Sequence, residues 1–210
     1  MLETKALAST LVKGQTQLRI LATTDLHMWM LGYDYYRDQP DTRQSLSRLA
    51  PIIARRRSEA LNGLLLDNGD LLQGTPMADV LASDWKQGLT QANTVLQTLS
   101  HDFNFGLPYL EAALNSAGFP IVCANALQHR GATPAEDIPY FPPYELLGRE
   151  LLMPDGTTRS IKIGLIGFLP PQIVDWDQAH LSGKIETRGI VETARHYVPE
   201  LKAAGADLIV

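Results

Sequence analysis

The chain has little of several features that mark whole classes of protein. Cys123 is the only cysteine among 210 residues, which excludes an intrachain disulfide and a cysteine-based zinc site. No apolar run of the sequence approaches the roughly 20 residues that a membrane-spanning helix needs. Basic residues are not in excess, since 18 Lys and Arg stand against 23 Asp and Glu, for a net charge of -5. We therefore expect neither a membrane nor a nucleic-acid polymer as a partner.

The two ends of the chain carry different signals. Residues 1–16 hold charged side chains around a short apolar segment, so they lack the basic start and continuous apolar centre of a secretory signal. We interpret them as a loosely ordered leader and residues 17–210 as the N-terminal part of one domain. At the other end, Gly205 predicts the end of a helix, and the residues after it predict a buried strand. Because domains seldom end inside a core strand, we expect a fragment of a longer protein.

The composition that is present is ordinary for a globular protein, with 45% hydrophobic and 20% charged residues. The length suffices for one sizeable core. Apolar periodicity predicts alternating strands and helices with one antiparallel hairpin, which together favour a layered α/β fold. The predicted strands lie at 18–27, 64–67, 119–124, 144–153 and 157–168, and the predicted helices at 46–61, 91–99, 107–117 and 190–201.

The end of the first predicted strand carries two possible metal ligands. Asp25 and His27 are separated by one residue, and alternate side chains of an extended chain point the same way. A carboxylate together with an imidazole suits a borderline divalent ion such as Zn, Mn, Fe or Co better than Ca or Mg. The alternative is a capping aspartate and a surface histidine, because the pattern also occurs by chance.

A second predicted strand also ends in an acidic loop. The run 64–67 suits a buried parallel strand, and Gly69 after it allows a tight turn that brings Asp70 close to a ligand. Open α/β sheets bind ligands beyond the carboxyl ends of their strands. Asp70 and the Asp25–His27 pair are therefore candidates for one site. Asp67 and Asp70 are equally well explained as turn residues.

Three short motifs in the chain follow one order: Asp25-Leu-His27, Gly69-Asp70 and His101-Asp102. This order resembles that of the calcineurin-like metallophosphoesterases. The sequences around the motifs look like the nucleotidase branch of that family. Two further stretches, Asp34-Tyr-Tyr36 and 169–177, are similar to bacterial 2',3'-cyclic-nucleotide 2'-phosphodiesterase/3'-nucleotidases. The resemblance covers nearly all of residues 17–210.

The resemblance implies a β-sheet sandwich flanked by helices, of which this chain holds the first half. It also implies two divalent metal ions of the Zn, Mn, Co or Fe class. Asp25 and His27 would bind the first ion, Asp70 would bridge both, and His101 would be the catalytic residue that stabilises the departing oxygen. The implied reaction opens a 2',3'-cyclic nucleotide at its 2' bond and then hydrolyses the 3'-nucleotide, so the substrate is a small nucleotide.

The chain departs from the family pattern in three places. Ser100 stands where the family has an asparagine ligand of the second metal, and a serine hydroxyl is a shorter and poorer ligand. The segment 74–101 is shorter than in the family, so the strand that would deliver His101 is missing. Further histidine ligands of the family would fall after Val210. We therefore expect a weakened second metal site and impaired activity.

Two alternatives to this prediction remain open. The chain could belong to a 5'-nucleotidase or UDP-sugar hydrolase, or it could be a catalytically silent remnant. The resemblance implies a periplasmic location, although the sequence shows no secretory signal. The sequence does not determine the oligomeric state.

Overall fold

The computed structural model describes residues 14–84, 102–115 and 118–210. The elements alternate between short strands and helices as the sequence predicts. Its strands are β1 (Leu18–Thr23), β2 (Tyr33–Asp34), β3 (Gln39–Pro40), β4 (Asn62–Asp67), β5 (Ala126–His129), β6 (Ile138–Pro139), β7 (Tyr144–Leu152), β8 (Thr158–Ile166), β9 (Glu186–Thr187) and β10 (Leu208–Ile209). Its helices are α1 (Leu46–Ser58), α2 (Pro76–Asp84), α3 (Leu107–Asn115), α4 (Ile173–Trp176), α5 (Gln178–Leu181) and α6 (Ile190–Ala203).

Two sheets face each other around an apolar core. Strands β1 and β4 form a parallel pair, and β10, β8 and β7 form a second sheet in that order. Leu64 and Leu66 of β4 share a buried cluster with Leu147 of β7 and with Ile163 and Leu165 of β8. The predicted layered α/β sandwich is therefore confirmed.

A second apolar cluster lies beneath the loops that follow β1 and β4. Met28 and Leu71 come from these two loops, and they pack with Phe103, with Leu110 of α3 and with Ile173 of α4. All five side chains are buried. Met28 and Leu71 therefore anchor the two loops to the core. The side chains that precede these two residues in each loop are held at the edge of the sheet.

Helix α1 begins as predicted but ends earlier. The Ser45 hydroxyl caps its start by accepting a hydrogen bond from the Arg48 amide at 3.3 Å. The helix ends at Ser58 and not at the predicted residue 61, and Gly63 lies inside β4 opposite Arg19 of β1. The prediction is wrong there because pairing with β1 takes the residues from Asn62 onward into the sheet.

The predicted strand at 119–124 is also wrong. Only Val122 in this stretch makes an isolated bridge, and the strand in this region is β5, which pairs with β6 and β9. The Cys123 amide donates to the Pro142 carbonyl at 2.9 Å, and the Ala124 amide donates to the Gly167 carbonyl at 2.8 Å. Because two separate segments satisfy this backbone, the buried apolar run forms no continuous ladder.

The predicted hairpin and the predicted last helix are both confirmed. Strands β7 and β8 pair antiparallel from Tyr144 opposite Ile166 to Leu152 opposite Thr158. Gly156 in the connecting turn has a φ of +85°, which glycine adopts without strain. The last helix is α6, and its buried Leu201 packs against the sheet side of the domain, where a Cβ added at Gly164 would lie 3.0 Å from it.

A buried ion pair fastens the loop before β6 to the residues that precede α6. The Arg188 side chain is 2% exposed and its partner Asp137 is 3% exposed. Arg188 donates from Nε and Nη2 to the Asp137 carboxylate at 2.6 and 2.7 Å, and from Nη1 to Glu192 at 2.6 Å. Asn125 lies beside this pair, where its amide donates to the Arg188 carbonyl at 3.0 Å. These polar groups serve the fold of the loops.

Among the residues that the structure describes, no helix is both long and apolar enough to cross a membrane.

Candidate metal centre

The parallel pairing of β1 and β4 brings the two acidic loops to one edge of the sheet. Thr23 at the end of β1 lies opposite Asp67 at the end of β4. Beyond this point the loops stay in contact, because the Asp25 amide donates to the Gly69 carbonyl at 3.0 Å and the His27 amide donates to the Asp70 carbonyl at 3.1 Å. Side chains that are more than 40 residues apart in the sequence thus become neighbours.

The backbone at this edge is not the extended chain that the sequence predicts. Strand β1 ends at Thr23, and Asp25, His27 and Asp70 have φ values of 53°, 50° and 58°. The prediction that strand alternation aims Asp25 and His27 together is therefore wrong. Contacts between the two loops hold each residue in the left-handed region, which costs about 1 to 3 kcal/mol for a residue other than glycine and occurs often at functional sites.

The three candidate side chains nevertheless converge. One potential ligand atom from each of Asp25, His27 and Asp70 lies within 4.8 Å of the others. His27 Nδ1 and Asp70 Oδ1 are 3.5 Å apart. Asp25 is exposed, whereas His27 and Asp70 are half-buried, so the group is open to solvent on one side. Two carboxylates and one imidazole within this distance fit a borderline divalent cation.

A backbone carbonyl holds the His27 ring in place. Its Nδ1 lies 2.8 Å from the Gln73 carbonyl oxygen. Because a carbonyl only accepts, Nδ1 carries the hydrogen, and the lone pair of Nε2 is left for a cation. Gly74 follows with a φ of +143°, and a Cβ there would lie 2.5 Å from the His27 Cβ. A side chain at Gly74 would therefore displace the imidazole.

Asp102 holds the Asp70 loop from beneath. Its carboxylate accepts hydrogen bonds from the amides of Asp70 at 3.1 Å, Leu71 at 2.7 Å and Leu72 at 3.1 Å. Burial raises the pKa of Asp102, and the three amide donors act in the opposite direction. With 1% of its surface exposed, Asp102 acts on the site by positioning Asp70.

A cavity of about 370 Å³ adjoins the candidate ligands. It lies between the loop after β1 and the first turns of α1, and Asp25 and His27 form part of its wall. Arg43 and Arg48 line the same cavity. The cavity therefore combines possible metal ligands with cationic side chains, an arrangement that can accept an anionic group.

Comparisons with known proteins show which proteins the chain resembles in sequence and in fold. No protein-family model matches the sequence. A 2',3'-cyclic-nucleotide 2'-phosphodiesterase/3'-nucleotidase of Haemophilus influenzae is 44% identical over 208 residues, which cover 94% of this chain. The crystal structure of the calcineurin-like phosphoesterase YfkN from Bacillus subtilis superimposes with a TM-score of 0.82 at 35% identity, over 93% of this chain and 61% of that one. The chain is therefore similar in sequence to a nucleotide phosphoesterase and in fold to a calcineurin-like phosphoesterase.

The chain spans about a third of the length of this Haemophilus influenzae relative, since the match covers 31% of that protein. A putative 5'-nucleotidase from Staphylococcus aureus is a more distant structural neighbour. It superimposes with a TM-score of 0.72 at 25% identity, over 91% of this chain and 36% of that one. The likeness to both structures supports the predicted sandwich fold and its incomplete extent.

The structure brings together three of the four residues that the sequence predicts for the site. Asp25, His27 and Asp70 form the group described above. His101 and Ser100 lie outside the described residues, as does the predicted helix at 91–99. Their roles therefore stay predictions.

Two features of the candidate site are not predicted by the sequence. Asp102 can be seen in the His101-Asp102 motif of the sequence. The hydrogen bonds that its carboxylate accepts from three backbone amides cannot be seen there, because they join residues about 30 positions apart. Asp67, interpreted from sequence as a turn residue, accepts from the Gly69 amide at 2.8 Å and is 1% exposed. The pKa of Asp67 is raised to about 6, mainly by burial and also by the neighbouring carboxylates of Asp102 and Asp25, while the hydrogen bonds from Thr23 and the Gly69 amide act in the opposite direction.

Proposed function

We propose that this chain carries part of the metal site of a phosphoester hydrolase that acts on 2',3'-cyclic nucleotides and 3'-nucleotides. The observation that carries the proposal is the convergence of Asp25, His27 and Asp70 within 4.8 Å at the carboxyl ends of two parallel strands. The substrate class is supported by the Haemophilus influenzae relative, which is named for both reactions.

The donor set fits divalent cations of the Zn, Mn, Co or Fe class. In the proposal Asp25 and His27 hold the first ion, and Asp70 bridges it to a second ion whose site is weakened by Ser100. Such cations supply Lewis-acid stabilisation of the charge on phosphoryl oxygens. The proposal includes a nucleotide as small-molecule substrate and, from the resemblance, a periplasmic location.

The chain's own residues contribute position and charge to this site. The Gln73 carbonyl fixes the His27 ring by accepting from Nδ1 at 2.8 Å. Asp102 fixes the Asp70 peptide from the buried side. Arg48 lines the adjoining cavity, where its charge favours the entry of a phosphate group, whereas Arg43 in the same wall is paired with the Asp41 carboxylate at 2.8 Å. In the proposal His101 donates to the oxygen that leaves phosphorus.

Metal binding is the direct test of the proposed site. Isothermal titration with Mn²⁺ and Zn²⁺ should give one site of higher affinity in the chain and a weaker second one. Asp25→Asn combined with His27→Ala should abolish the tighter site. Asp38→Asn is a matched control, because Asp38 also has a positive φ of 53° but lies outside the group. Equal affinity in the chain and in the double variant would contradict the proposal.

Hydrolysis then separates the proposed activity from its alternatives. The chain should convert 2',3'-cyclic AMP slowly to 3'-AMP and adenosine, at a rate that falls when Asp25 is replaced by Asn. Cleavage of 5'-AMP instead would favour a 5'-nucleotidase, for which the Staphylococcus aureus neighbour is a structural precedent. Metal binding without any hydrolysis would favour a catalytically silent remnant, and rapid hydrolysis would contradict the proposed impairment.

A further inference from the structure

The loop after β1 holds two consecutive residues in the left-handed region of the backbone. His27 has a φ of 50°, and Met28, which follows it, has a φ of 52°. Residues other than glycine keep this conformation only where the surrounding structure over-determines it. The direction of the His27 imidazole therefore depends on the groups that hold these two residues.

The segment 73–75, immediately before α2, contacts both of them. The Gln73 carbonyl oxygen lies 2.8 Å from His27 Nδ1. Two positions later, the Thr75 hydroxyl donates a hydrogen bond to the Met28 carbonyl at 3.2 Å. Thr75 is 1% exposed and Met28 is 4% exposed, so this hydrogen bond is shielded from water.

The Thr75 hydroxyl also caps helix α2. It accepts from the Ala78 amide at 3.4 Å, and the Thr75 carbonyl accepts from the same amide at 2.8 Å. Pro76 occupies the first helical position, where its missing amide costs no hydrogen bond. Ala78 is fully buried, and Leu81 packs against the apolar cluster beneath the two loops. Packing therefore fixes α2, and Thr75 joins Met28 to this fixed helix.

We propose that Thr75 is a positioning residue for His27. Its hydroxyl ties the Met28 carbonyl to the start of α2, which maintains the left-handed backbone and holds the imidazole against the Gln73 carbonyl. With Nδ1 bonded to that carbonyl, Nε2 stays available to a cation. The inference rests on the proposed function for the cation, whereas the orientation of the ring is a property of the metal-free chain.

A cap of α2 without influence on His27 is the alternative role of Thr75, and a second threonine separates the two roles. Thr193 of α6 is also 1% exposed, and its hydroxyl donates to the Gly189 carbonyl at 3.0 Å. It makes the same kind of hydrogen bond at the start of another helix. Valine at either position removes the hydroxyl from a side chain of nearly the same shape. Only Thr75→Val should alter the His27 ring.

The first measurement is the site of protonation of the His27 ring in the metal-free chain. Proton–nitrogen correlation NMR distinguishes an imidazole protonated on Nδ1 from one protonated on Nε2, and His27→Gln identifies the His27 signal by its loss. At about pH 8, where an ordinary histidine is neutral, the wild type should carry the proton on Nδ1. Thr75→Val should shift the population toward the Nε2 form. Thr75→Ser, which keeps the hydroxyl, and Thr193→Val should retain the wild-type pattern.

Metal titration is the second measurement. Thr75→Val should bind Mn²⁺ roughly tenfold more weakly than the wild type, because outer partners of a metal ligand contribute about 10- to 100-fold to affinity. Thr75→Ser and Thr193→Val should bind Mn²⁺ as the wild type does.

Four results would overturn the inference. They are an Nε2-protonated His27 in the wild type, a folded Thr75→Val with the wild-type ring pattern, a Thr75→Ser that behaves as Thr75→Val does, and an equal change in Thr193→Val. The first of these needs no variant, so the inference stays testable if Thr75→Val does not fold. If the wild type bound no Mn²⁺ while its ring pattern still depended on Thr75, the proposed function alone would be contradicted.

Discussion

The ion pair of Arg188 and the group of Asp25, His27 and Asp70 both collect charged side chains, yet they balance the charge differently. Arg188 meets two carboxylates within hydrogen-bond distance while being 2% exposed. In the second group, two carboxylates and an imidazole approach within 4.8 Å on a surface open to solvent. One cluster contains its own cation, and the other assembles donors that can share an added one.

The two regions also differ in what holds their residues in place. At the candidate metal centre Asp25, His27 and Asp70 all have positive φ values, so folding stabilises conformations that these residues disfavour alone. Arg188 is instead held by side-chain hydrogen bonds that bring loops together. The contrast indicates that the candidate metal centre is organised for a ligand and that the Arg188 ion pair is organised for stability.

The largest effect is expected from breaking the buried pair. Arg188→Met should lower the free energy of unfolding by about 3 to 5 kcal/mol, because Asp137 would keep a buried charge without its cation. Urea denaturation followed by circular dichroism measures the change. Arg149→Met, at an exposed position of β7, should change stability by about 0.5 kcal/mol or less.

A double variant sharpens this test. Arg188→Met combined with Asp137→Leu removes both charges and should recover much of the lost stability. If Arg188→Met alone left the unfolding midpoint unchanged, Arg188 would not be the structural partner that the contacts indicate.

At the candidate metal centre, a substitution should lower the metal affinity and leave the stability nearly unchanged. Asp70→Asn should weaken Mn²⁺ binding by roughly 100-fold or more, since loss of an outer partner alone costs 10- to 100-fold. In metal-free buffer the same variant should unfold at nearly the wild-type urea concentration. A large loss of stability together with unchanged metal affinity would assign Asp70 to the fold instead.

Asp102 both holds the loop and positions the candidate ligand Asp70. Its substitution should therefore reduce the metal affinity less than substitution of Asp70 does. In Asp102→Asn the side-chain oxygen can still accept from Leu71 and Leu72, but the amide group would face the Asp70 N–H, which now donates to Oδ2 at 3.1 Å. We expect about 10-fold weaker Mn²⁺ binding, measured by titration. Unchanged affinity would show that the Asp70 peptide is positioned without this bond.

The smallest effects concern the pH dependence of the free energy of unfolding, to which Asp137 and Asp67 contribute with opposite signs. Burial opposes ionisation of Asp137, but the hydrogen bonds from Arg188 and the Gly131 amide outweigh it and lower its pKa. Its contribution is present above the unfolded pKa of about 4 and is lost as the pH falls below that value. Asp137→Asn should remove this acid-side decline from urea-denaturation profiles.

Asp67 should show the reverse in metal-free buffer. Its pKa is raised by burial from 3.8 to about 6, so the folded state binds the extra proton and stability falls as the pH rises from about 4 to about 6. Asp67→Asn should flatten the profile over that interval. A profile with the same slope in both proteins would contradict the raised pKa of Asp67.

Most of the strands and helices that local patterns in the sequence predict within the described residues are present in the structure. The hairpin of β7 and β8 and the helix α6 follow from period-2 and helical spacing over nine or more residues. The predicted strand at 119–124 failed because its buried backbone bonds to Pro142 and Gly167, two segments that are distant along the chain. Local hydrophobicity predicts burial there but does not predict the hydrogen-bond partner.

The sequence by itself determined which residues could form the site, because Asp25, His27 and Asp70 follow runs that suit parallel strands and have side chains that ligate metals. Only the tertiary structure decided how they meet. The left-handed backbone at these residues, the carbonyl of Gln73 on the imidazole and the buried carboxylate of Asp102 beneath the loop all arise from contacts between distant segments. Such contacts exist only after the sheet has formed, so no local pattern encodes them.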